Sequence, residues 1–290
     1  RGAGLKLKSA ADAQGKPIYL ELSSVNPVVI LPGALAERSE AVVDDFLTSV
    51  LMGTGQFCTN PGLVLLLRSE AADNFVDAVT QRFESTQPGT LLSPGVKHSL
   101  TAAIEVLTDA GATLHTGGSA AEGAACSVQN TLLSTSGAEF VANPEVFQTE
   151  AFGNASLIVI ADDVEQLCQV IRSLEGNLTG CVYSATDTTD DAAYNRIAPE
   201  LAKRVGRLMN DKMPTGVAVS SAMNHGGPFP ATGHPGFTAV GIPASLLRFA
   251  KLTCYDAVRG SRLPAILADQ NPTGETFRLI DQKWTTDDVS

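Results

Sequence analysis

Short apolar runs alternate along this chain with longer segments of helical periodicity, and this alternation constrains the fold more than any other feature. Runs rich in apolar residues predict strands at 16–20, 28–31, 63–67, 156–161 and 180–183. Apolar positions spaced three and four residues apart predict helices over 42–51, 71–83, 100–107, 164–171 and 190–204. Because strands that alternate with helices of this length form parallel sheets, we predict an α/β fold with helices on both faces of the sheet.

The composition and charge of the chain exclude several classes of partner. Its 290 residues are 44% hydrophobic, and its net charge is −11 with no basic patch. An acidic protein is a poor partner for nucleic acids and anionic membranes. No apolar run approaches the ~20 residues that a membrane span requires. We therefore expect neither nucleic acid nor membrane among its partners.

The cysteines give information about compartment and metal content. They are odd in number and widely spaced, without a C-x-x-C pair: Cys58, Cys126, Cys168, Cys181 and Cys254. This pattern argues against a disulfide framework and against a zinc site, and it is typical of a reducing compartment. We therefore predict a cytoplasmic protein with no bound metal ion.

One cysteine lies where a nucleophile is expected. Gly53 and Gly55 precede Cys58 and an Asn-Pro-Gly turn follows it, between a predicted helix and the predicted strand at 63–67. A thiolate must reach its substrate, and such a turn exposes the sulfur and lets backbone amides face a reacting group. The alternative is a small hydrophobic residue buried in a turn, which is the commoner role of a free cysteine.

Three short motifs, in matching order, resemble signatures of the aldehyde dehydrogenase superfamily. GQFC at 55–58 is similar to the family's G-Q-x-C, ELSSVNP at 21–27 to its E-L-G-G-x-x-P, and EAFG at 150–153 to its E-x-F-G. The match departs at Asn154, where the family commonly has proline. The resemblance covers nearly the whole chain and implies the family's catalytic domain, which has a Rossmann-like sheet.

The resemblance implies a role for each motif. Cys58 is expected to attack the aldehyde, and Glu21 to activate the water that hydrolyses the resulting thioester. Glu150, with Phe152 beside it, is expected to hold the nicotinamide ribose of NADP or NAD. Asn210 is expected to contact the substrate. Without the resemblance, Glu21 is interpreted as a solvated glutamate and Asn210 as a turn asparagine.

Details of the motifs favour one branch of the family. The chain resembles the branch that contains NADP-linked dehydrogenases of 2,5-dioxovalerate (α-ketoglutaric semialdehyde). This resemblance rests on Ser23 and Ser24, on Gly53 in place of the usual asparagine, and on CTNPG at 58–62. The resemblance therefore implies oxidation of this or a similar small semialdehyde to its acid by a homodimeric or tetrameric enzyme.

The same resemblance implies domain boundaries. Residues 1–23 match the end of a cofactor-binding domain and 24–243 a catalytic domain, while 244–290 match a dimerisation strand, at 247–255, and a C-terminal segment. Most of the cofactor-binding domain has no counterpart here, and no G-x-G-x-x-G lies between a strand and a helix. We therefore expect a fragment of a longer enzyme that is inactive as a dehydrogenase by itself.

A long segment rich in glycine and proline supports rival interpretations. Residues 211–243 contain six glycines and five prolines, and loops of this length are usually functional or disordered. His225 lies in this loop, where we predict a contact with substrate. A hydrogen bond between Cys58 and His225 would instead favour a thiol hydrolase or acyltransferase. A third possibility is a non-catalytic module for folding and subunit pairing.

Overall fold

The computed structural model describes residues 1–121, 126–236, 238–240 and 243–289, in two compact units, Arg1–Arg248 and Phe249–Ser290. The described strands of the first unit are β1 (Pro27–Ile30), β2 (Leu63–Leu67), β3 (Thr113–Thr116), β4 (Thr131–Ser136), β5 (Ala155–Ala161), β6 (Asn177–Tyr183) and β7 (Val205–Asn210). Its helices are α1 (Gly2–Asp12), α2 (Pro32–Leu51), α3 (Glu70–Ser85), α4 (Pro94–Asp109), α5 (Gly137–Ala142), α6 (Pro144–Phe147), α7 (Val164–Arg172) and α8 (Asp191–Ala202). The second unit contains an antiparallel pair, β8 (Arg278–Ile280) and β9 (Lys283–Thr285).

The strands of the first unit form one sheet in the order β3-β4-β5-β2-β1-β6-β7. Every neighbouring pair is parallel except β3 and β4. All residues of β1 and β6 are buried, as is typical of parallel strands covered on both faces. The predicted α/β fold is therefore confirmed, with one antiparallel strand added at an edge.

Helices cover both faces because alternate residues of each strand point to opposite sides of the sheet. Val28 lies in one buried cluster with Phe46 of α2 and Phe75 of α3, whereas Val29 lies in a second cluster with Leu167 of α7. Among the described helices, none combines the length and the apolar character needed to cross a membrane. Two cores thus hold the sheet rigid between helical layers.

Some strands differ from the sequence-based expectation. Residues 16–20 form no strand. The next residue, Glu21, forms an isolated bridge with Thr232. β3 and β4 were not predicted, because the serine and threonine residues of β4 interrupt its apolar run although most of the strand is buried. Segment 16–20 is thus extended but contributes no strand to the sheet.

Residues 247–255, predicted as a strand, form no strand within the described chain, and the pairing of this segment with a partner subunit stays a prediction. Pro243–Arg248 form a 3-10 helix, and residues 249–255 pair with no strand of the described chain. Cys254, predicted to lie within this strand, is exposed. An extended segment becomes a strand only when a neighbour takes its backbone hydrogen bonds. The first compact unit also ends at Arg248 rather than at residue 243, and it includes residues 1–23.

A contact between two glycines holds the turn after α2 against the segment that precedes β5. Gly55 has a φ of +68°, and a Cβ on it would lie 2.0 Å from the carbonyl oxygen of Gly153. Only glycine allows both this backbone conformation and this approach. The contact therefore joins the cysteine-containing turn to the segment 150–153, far apart in sequence.

Replacing Gly55 by alanine is expected to destabilise the protein by about 2 kcal/mol or more, because the methyl group must displace the Gly153 backbone. Urea unfolding followed by circular dichroism measures the change. Gly15→Ala is the matched control, since Gly15 has a φ of +64° but no atom within 4 Å of the added Cβ. Equal unfolding midpoints for the two variants would show that the close contact between Gly55 and Gly153 does not affect stability.

Candidate active site

The buried side chain of Asn26 joins the segments that precede β1 and β2 to the start of β6. Its Nδ2 donates hydrogen bonds to the carbonyl oxygens of Cys58 and Asn60, each over 2.9 Å. Its Oδ1 accepts from the Ser24 hydroxyl over 2.8 Å and from the Thr179 hydroxyl over 2.9 Å. These bonds use the full capacity of a primary amide. They place the Cys58 turn beside residues 21–26 at the amino-terminal edge of the parallel strands.

The glycine-rich loop crosses the same edge and carries His225 to it. A Cβ on Gly206, near the start of β7, would lie 1.8 Å from the carbonyl oxygen of Gly226. Asn224 donates to the Gly206 carbonyl over 2.8 Å, and the His225 N–H donates to the Thr238 hydroxyl over 2.7 Å. The prediction of a long loop over 211–243 is thus confirmed for its described residues, and here the loop lies directly against the sheet.

Glu21 is held to this loop by backbone hydrogen bonds on either side of it. The Leu22 N–H donates to the Ala231 carbonyl, and the Gly233 N–H donates to the Leu20 carbonyl, each over 2.9 Å. The segment expected to be a strand therefore pairs with the loop rather than with the sheet. This pairing directs the Glu21 carboxylate towards His225.

Glu21, Cys58 and His225 converge on one imidazole nitrogen. The Sγ of Cys58 lies 3.5 Å from Nε2 of His225, and Oε2 of Glu21 lies 3.2 Å from the same nitrogen. His225 is 8% exposed, whereas Cys58 is half-buried and the Glu21 side chain is 38% exposed. The structure thus brings together the two predicted catalytic residues and one of the two predicted substrate residues.

The charges in this cluster favour a protonated histidine. Hydrogen bonds to Cys58 and then to Glu21 raise the pKa of His225 to about 9. The hydrogen bond to His225 in turn lowers the pKa of Glu21. The same imidazole lies beside the Cys58 sulfur, the atom that would attack a substrate. The cluster is therefore built to hold a nucleophilic sulfur beside an ionised carboxylate at neutral pH.

Glu150 and Phe152 line an adjacent cleft that also contains Ser24 and Phe57. Burial raises the pKa of Glu150 to about 7, although the Ser24 backbone N–H donates a hydrogen bond to its carboxylate. Phe152 is 37% exposed. The two residues predicted to bind cofactor thus lie together, next to the turn that carries Cys58.

Asn210 lies at the carboxyl-terminal edge of the parallel strands, opposite the amino-terminal edge that carries the site, contrary to the prediction that it contacts substrate. It ends β7, and its amide exchanges hydrogen bonds with the Tyr194 hydroxyl at 2.7 and 3.1 Å. β7 is parallel to β6, so its length separates Asn210 from the amino-terminal edge by roughly 16 Å. None of its described hydrogen bonds reaches Glu21, Cys58 or His225.

Arg207 is a residue that the sequence analysis missed. It lies within β7, and its Nη1 donates to the Met223 sulfur over 3.2 Å. Its Nε and Nη2 are buried without a hydrogen-bond partner among the described residues. Burial lowers the pKa of Arg207, and the nearby charge of Cys58 opposes that lowering. The available signal was a charged residue within the short, otherwise uncharged stretch 205–209.

Asn26 was also missed as a positioning residue, although it lies within one of the quoted motifs. Its backbone has a φ of +48°, and it is 1% exposed. An asparagine tolerates this conformation better than most residues. Nothing in a single sequence, however, indicates which distant carbonyl groups such an amide will reach.

Comparison with known proteins identifies the family of the chain. The model of the aldehyde dehydrogenase family matches residues 1–229. The chain belongs to this family. An α-ketoglutaric semialdehyde dehydrogenase 2 from Azospirillum brasilense is 37% identical over 274 residues, covering 94% of this chain and 51% of that protein. An α-ketoglutaric semialdehyde dehydrogenase from Acinetobacter baylyi is 35% identical over 281 residues, covering 96% of this chain and 52% of that protein.

Solved structures of other aldehyde dehydrogenases have the same fold as this chain. A betaine aldehyde dehydrogenase from Staphylococcus aureus in complex with NAD+ superposes with a TM-score of 0.65 at 20% identity, covering 80% of this chain and 45% of that chain. The chain spans about half the length of the curated relatives it matches.

The His225 cation is expected to make Cys58 reactive at neutral pH. We predict that His225→Asn lowers the rate of iodoacetamide alkylation of Cys58 at pH 7 by roughly tenfold, because the amide removes the positive charge beside the sulfur. Below its pKa of about 9 the histidine is charged, so the advantage of the unmodified protein is full at pH 7 and is lost as pH rises through about 9.

Mass spectrometry of the Cys58 peptide measures this rate from pH 6 to 10. His98→Asn is the control, since His98 is an exposed residue of α4. Parallel pH profiles for the two variants would show that His225 does not act on the sulfur.

Proposed function

We propose that the whole protein to which this chain belongs oxidises an aldehyde to a carboxylic acid with NAD+ or NADP+. Residues 24–243 form its catalytic segment in this proposal. The observation that carries it is the meeting of Cys58 and Glu21 at one histidine, at distances of 3.5 and 3.2 Å. Membership of the aldehyde dehydrogenase family supports this assignment.

Cys58 begins the proposed reaction as the nucleophile. Its sulfur attacks the carbonyl carbon, which gives a thiohemiacetal whose oxygen accepts a hydrogen bond from the Cys58 backbone N–H. The oxidised nicotinamide, when bound, supplies the acceptor for the hydride that leaves this carbon. Loss of the hydride converts the thiohemiacetal into a thioester on Cys58.

Glu21 acts in the second half of the proposed reaction. It removes a proton from a water molecule, which attacks the thioester carbon and releases the acid and the Cys58 thiolate. Its lowered pKa keeps it ionised at neutral pH, as a base must be. With its side chain 38% exposed, it is accessible to water on the side away from the core.

The residues that would hold the cofactor fit a nicotinamide ribose. Glu150 lies in a cleft beside the exposed ring of Phe152, and an ionised carboxylate accepts hydrogen bonds from two neighbouring hydroxyl groups. Glu150 is buried and accepts a hydrogen bond from the Ser24 backbone N–H, and a carboxylate has capacity for further donors. We therefore assign Glu150 and Phe152 to the ribose of NAD(P)+.

Positive charge around the site supports a substrate that carries a carboxylate. A cleft beside Glu21 and His225 is also lined by Arg248 and His234, and the guanidinium of Arg248 lies 5.3 Å from the centre of the Tyr19 ring. Arg207 adds a buried cation near Cys58. We therefore propose 2,5-dioxovalerate or a similar semialdehyde as substrate, with His225 at its aldehyde end, in agreement with the names of the relatives from Azospirillum and Acinetobacter.

Rapid-mixing kinetics on the whole protein test the proposal with 2,5-dioxovalerate and NAD(P)+. Cys58→Ala should lose activity by at least roughly a thousandfold, because no covalent step remains. Glu21→Gln should keep the pre-steady-state burst of reduced cofactor but slow the steady rate, because the base acts only after oxidation. Cys126→Ser is the control for loss of a cysteine. If Glu21→Gln reduces burst and steady rate equally, Glu21 does not act in thioester hydrolysis.

The contact between Cys58 and His225 favours a second candidate function, a thiol hydrolase or acyltransferase. In that reaction His225 would hold a proton beside the Cys58 sulfur and give it to the leaving group. The same variants distinguish the two functions through 4-nitrophenyl acetate hydrolysis. Hydrolysis by the 290-residue chain that is lost in His225→Asn, together with absence of aldehyde oxidation by the whole protein, would support the hydrolase and overturn the dehydrogenase.

We also propose that the whole protein is a homo-oligomer, paired through the segment 247–255. Phe249 is 84% exposed and Leu252 fully exposed, and their backbone forms no strand within this chain. Sedimentation equilibrium should give a dimer or tetramer, and Leu252→Asp should weaken it, with Lys251→Asp as the neighbouring control. A monomer at tens of micromolar, a range in which weak interfaces still persist, would argue against this pairing.

A further inference from the structure

We propose that Glu21, Cys58 and His225 form a reversible binding site for Zn2+ or a similar soft divalent cation, and that occupation of this site switches the nucleophile off. The three side chains offer a thiolate, an imidazole nitrogen and a carboxylate oxygen. The three ligand atoms all lie within 4.8 Å of one another. Thiolate and imidazole are the donors that Zn2+ prefers, and a carboxylate completes many of its sites.

The observed distances match two edges of a zinc tetrahedron. Zn–S bonds of about 2.3 Å and Zn–N and Zn–O bonds of about 2.0 Å separate sulfur from nitrogen by about 3.5 Å, and nitrogen from oxygen by about 3.3 Å. The structure has 3.5 Å between Cys58 Sγ and His225 Nε2, and 3.2 Å between His225 Nε2 and Glu21 Oε2. The ion would take the place of the proton that Nε2 now shares with both partners.

The third edge of the tetrahedron closes by a small movement. Cys58 Sγ and Glu21 Oε2 lie within 4.8 Å, and a tetrahedral ion needs them about 3.5 Å apart. The Glu21 side chain is 38% exposed, so it rotates at low cost, whereas His225 is fixed by burial. The fourth position stays open to water because the cluster borders a cleft.

The hydrogen-bond partner of the other imidazole nitrogen affects how tightly the site binds a metal ion. Metal-bound histidines usually donate their other N–H to an acceptor, and loss of that partner weakens binding by about 10- to 100-fold. Nδ1 of His225 is buried without a hydrogen-bond partner among the described residues. We therefore expect a dissociation constant in the micromolar range rather than the nanomolar range. Such binding is reversible by a chelator.

Binding would remove the chemistry of the cluster without changing the fold. Coordination occupies the sulfur lone pair that attacks a carbonyl carbon and neutralises the carboxylate that activates water. This metal state is separate from the proposed oxidation, because its formation needs only the three ligands. It also differs from the sequence-based expectation of no bound metal, which rested on cysteine spacing and considered no mixed ligand set.

Equilibrium dialysis of the 290-residue chain with Zn2+ alone tests the site, in a Cys254→Ser background that removes the exposed thiol. One Zn2+ per chain is expected, and Cys58→Ser, His225→Asn and Glu21→Gln should each weaken binding at least tenfold. Cys126→Ser and His98→Asn are the matched controls and should bind as the background does. Thermal melts of all variants by circular dichroism identify any change that arises from misfolding.

Two further measurements make the result independent of aldehyde oxidation. Zn2+ should protect Cys58 from iodoacetamide, while Mg2+, a hard cation, should not. Co2+ should give a thiolate charge-transfer band that is absent in Cys58→Ser. Zinc binding of equal affinity in folded Cys58→Ser or His225→Asn would overturn the proposal, as would no binding at roughly 0.1 mM Zn2+, where a micromolar site is filled.

Discussion

The amide of Asn26 is the interaction on which the site depends. One buried side chain binds the carbonyl oxygens of Cys58 and Asn60 and the hydroxyls of Ser24 and Thr179. The first three residues precede β1 or β2, and Thr179 lies near the start of β6. A buried amide with every donor and acceptor used has little freedom to move, because any displacement leaves polar groups unpaired. The nucleophile is therefore positioned by the start of β1 as much as by its own turn.

Close backbone contacts at glycines complete this positioning. Gly55 meets Gly153, and Gly206 meets Gly226, at distances that a side chain would forbid. The first contact joins the nucleophile turn to the cleft of Glu150. The second presses the loop of His225 onto the start of β7. The first contact lies before β5 and the second near the start of β7, so the site occupies the amino-terminal edge of a parallel sheet. Ligands of open α/β sheets more often lie at the carboxyl edge.

Charge at this edge gives the cluster more than one possible chemistry. The Nε2 atom of His225 lies 3.5 Å from the Cys58 sulfur, and its hydrogen bond to Glu21 lowers the pKa of that carboxyl group. Those properties suit attack on a carbonyl carbon followed by activation of water. They equally suit the capture of a soft cation, because the lone pairs that react with carbon also bind metal. The buried guanidinium of Arg207 adds positive charge on the strand side.

The sequence by itself determined the parallel α/β architecture, the turn around Cys58, the glycine-rich loop and the family. Each of these depends on residues close together in the chain, through periodicity, turn chemistry or a short motif. It failed where structure depends on a distant partner. The segment 247–255 has no neighbouring strand among the residues that the structure describes, and β4 is a strand because β5 lies beside it.

Tertiary structure alone decided which residues meet at the site. Cys58 and His225 are 167 positions apart, and the loop that joins them spatially is held by glycine contacts and by Asn224. The sequence predicted a substrate contact for Asn210 as it did for His225. Asn210, however, ends β7, and the beginning of that strand lies at the edge of the sheet that carries the site. In a parallel sheet the two ends of one strand lie at opposite edges, so the direction of β7 separates Asn210 from the site, and the loop that follows returns the chain to the start of β7 and places His225 there.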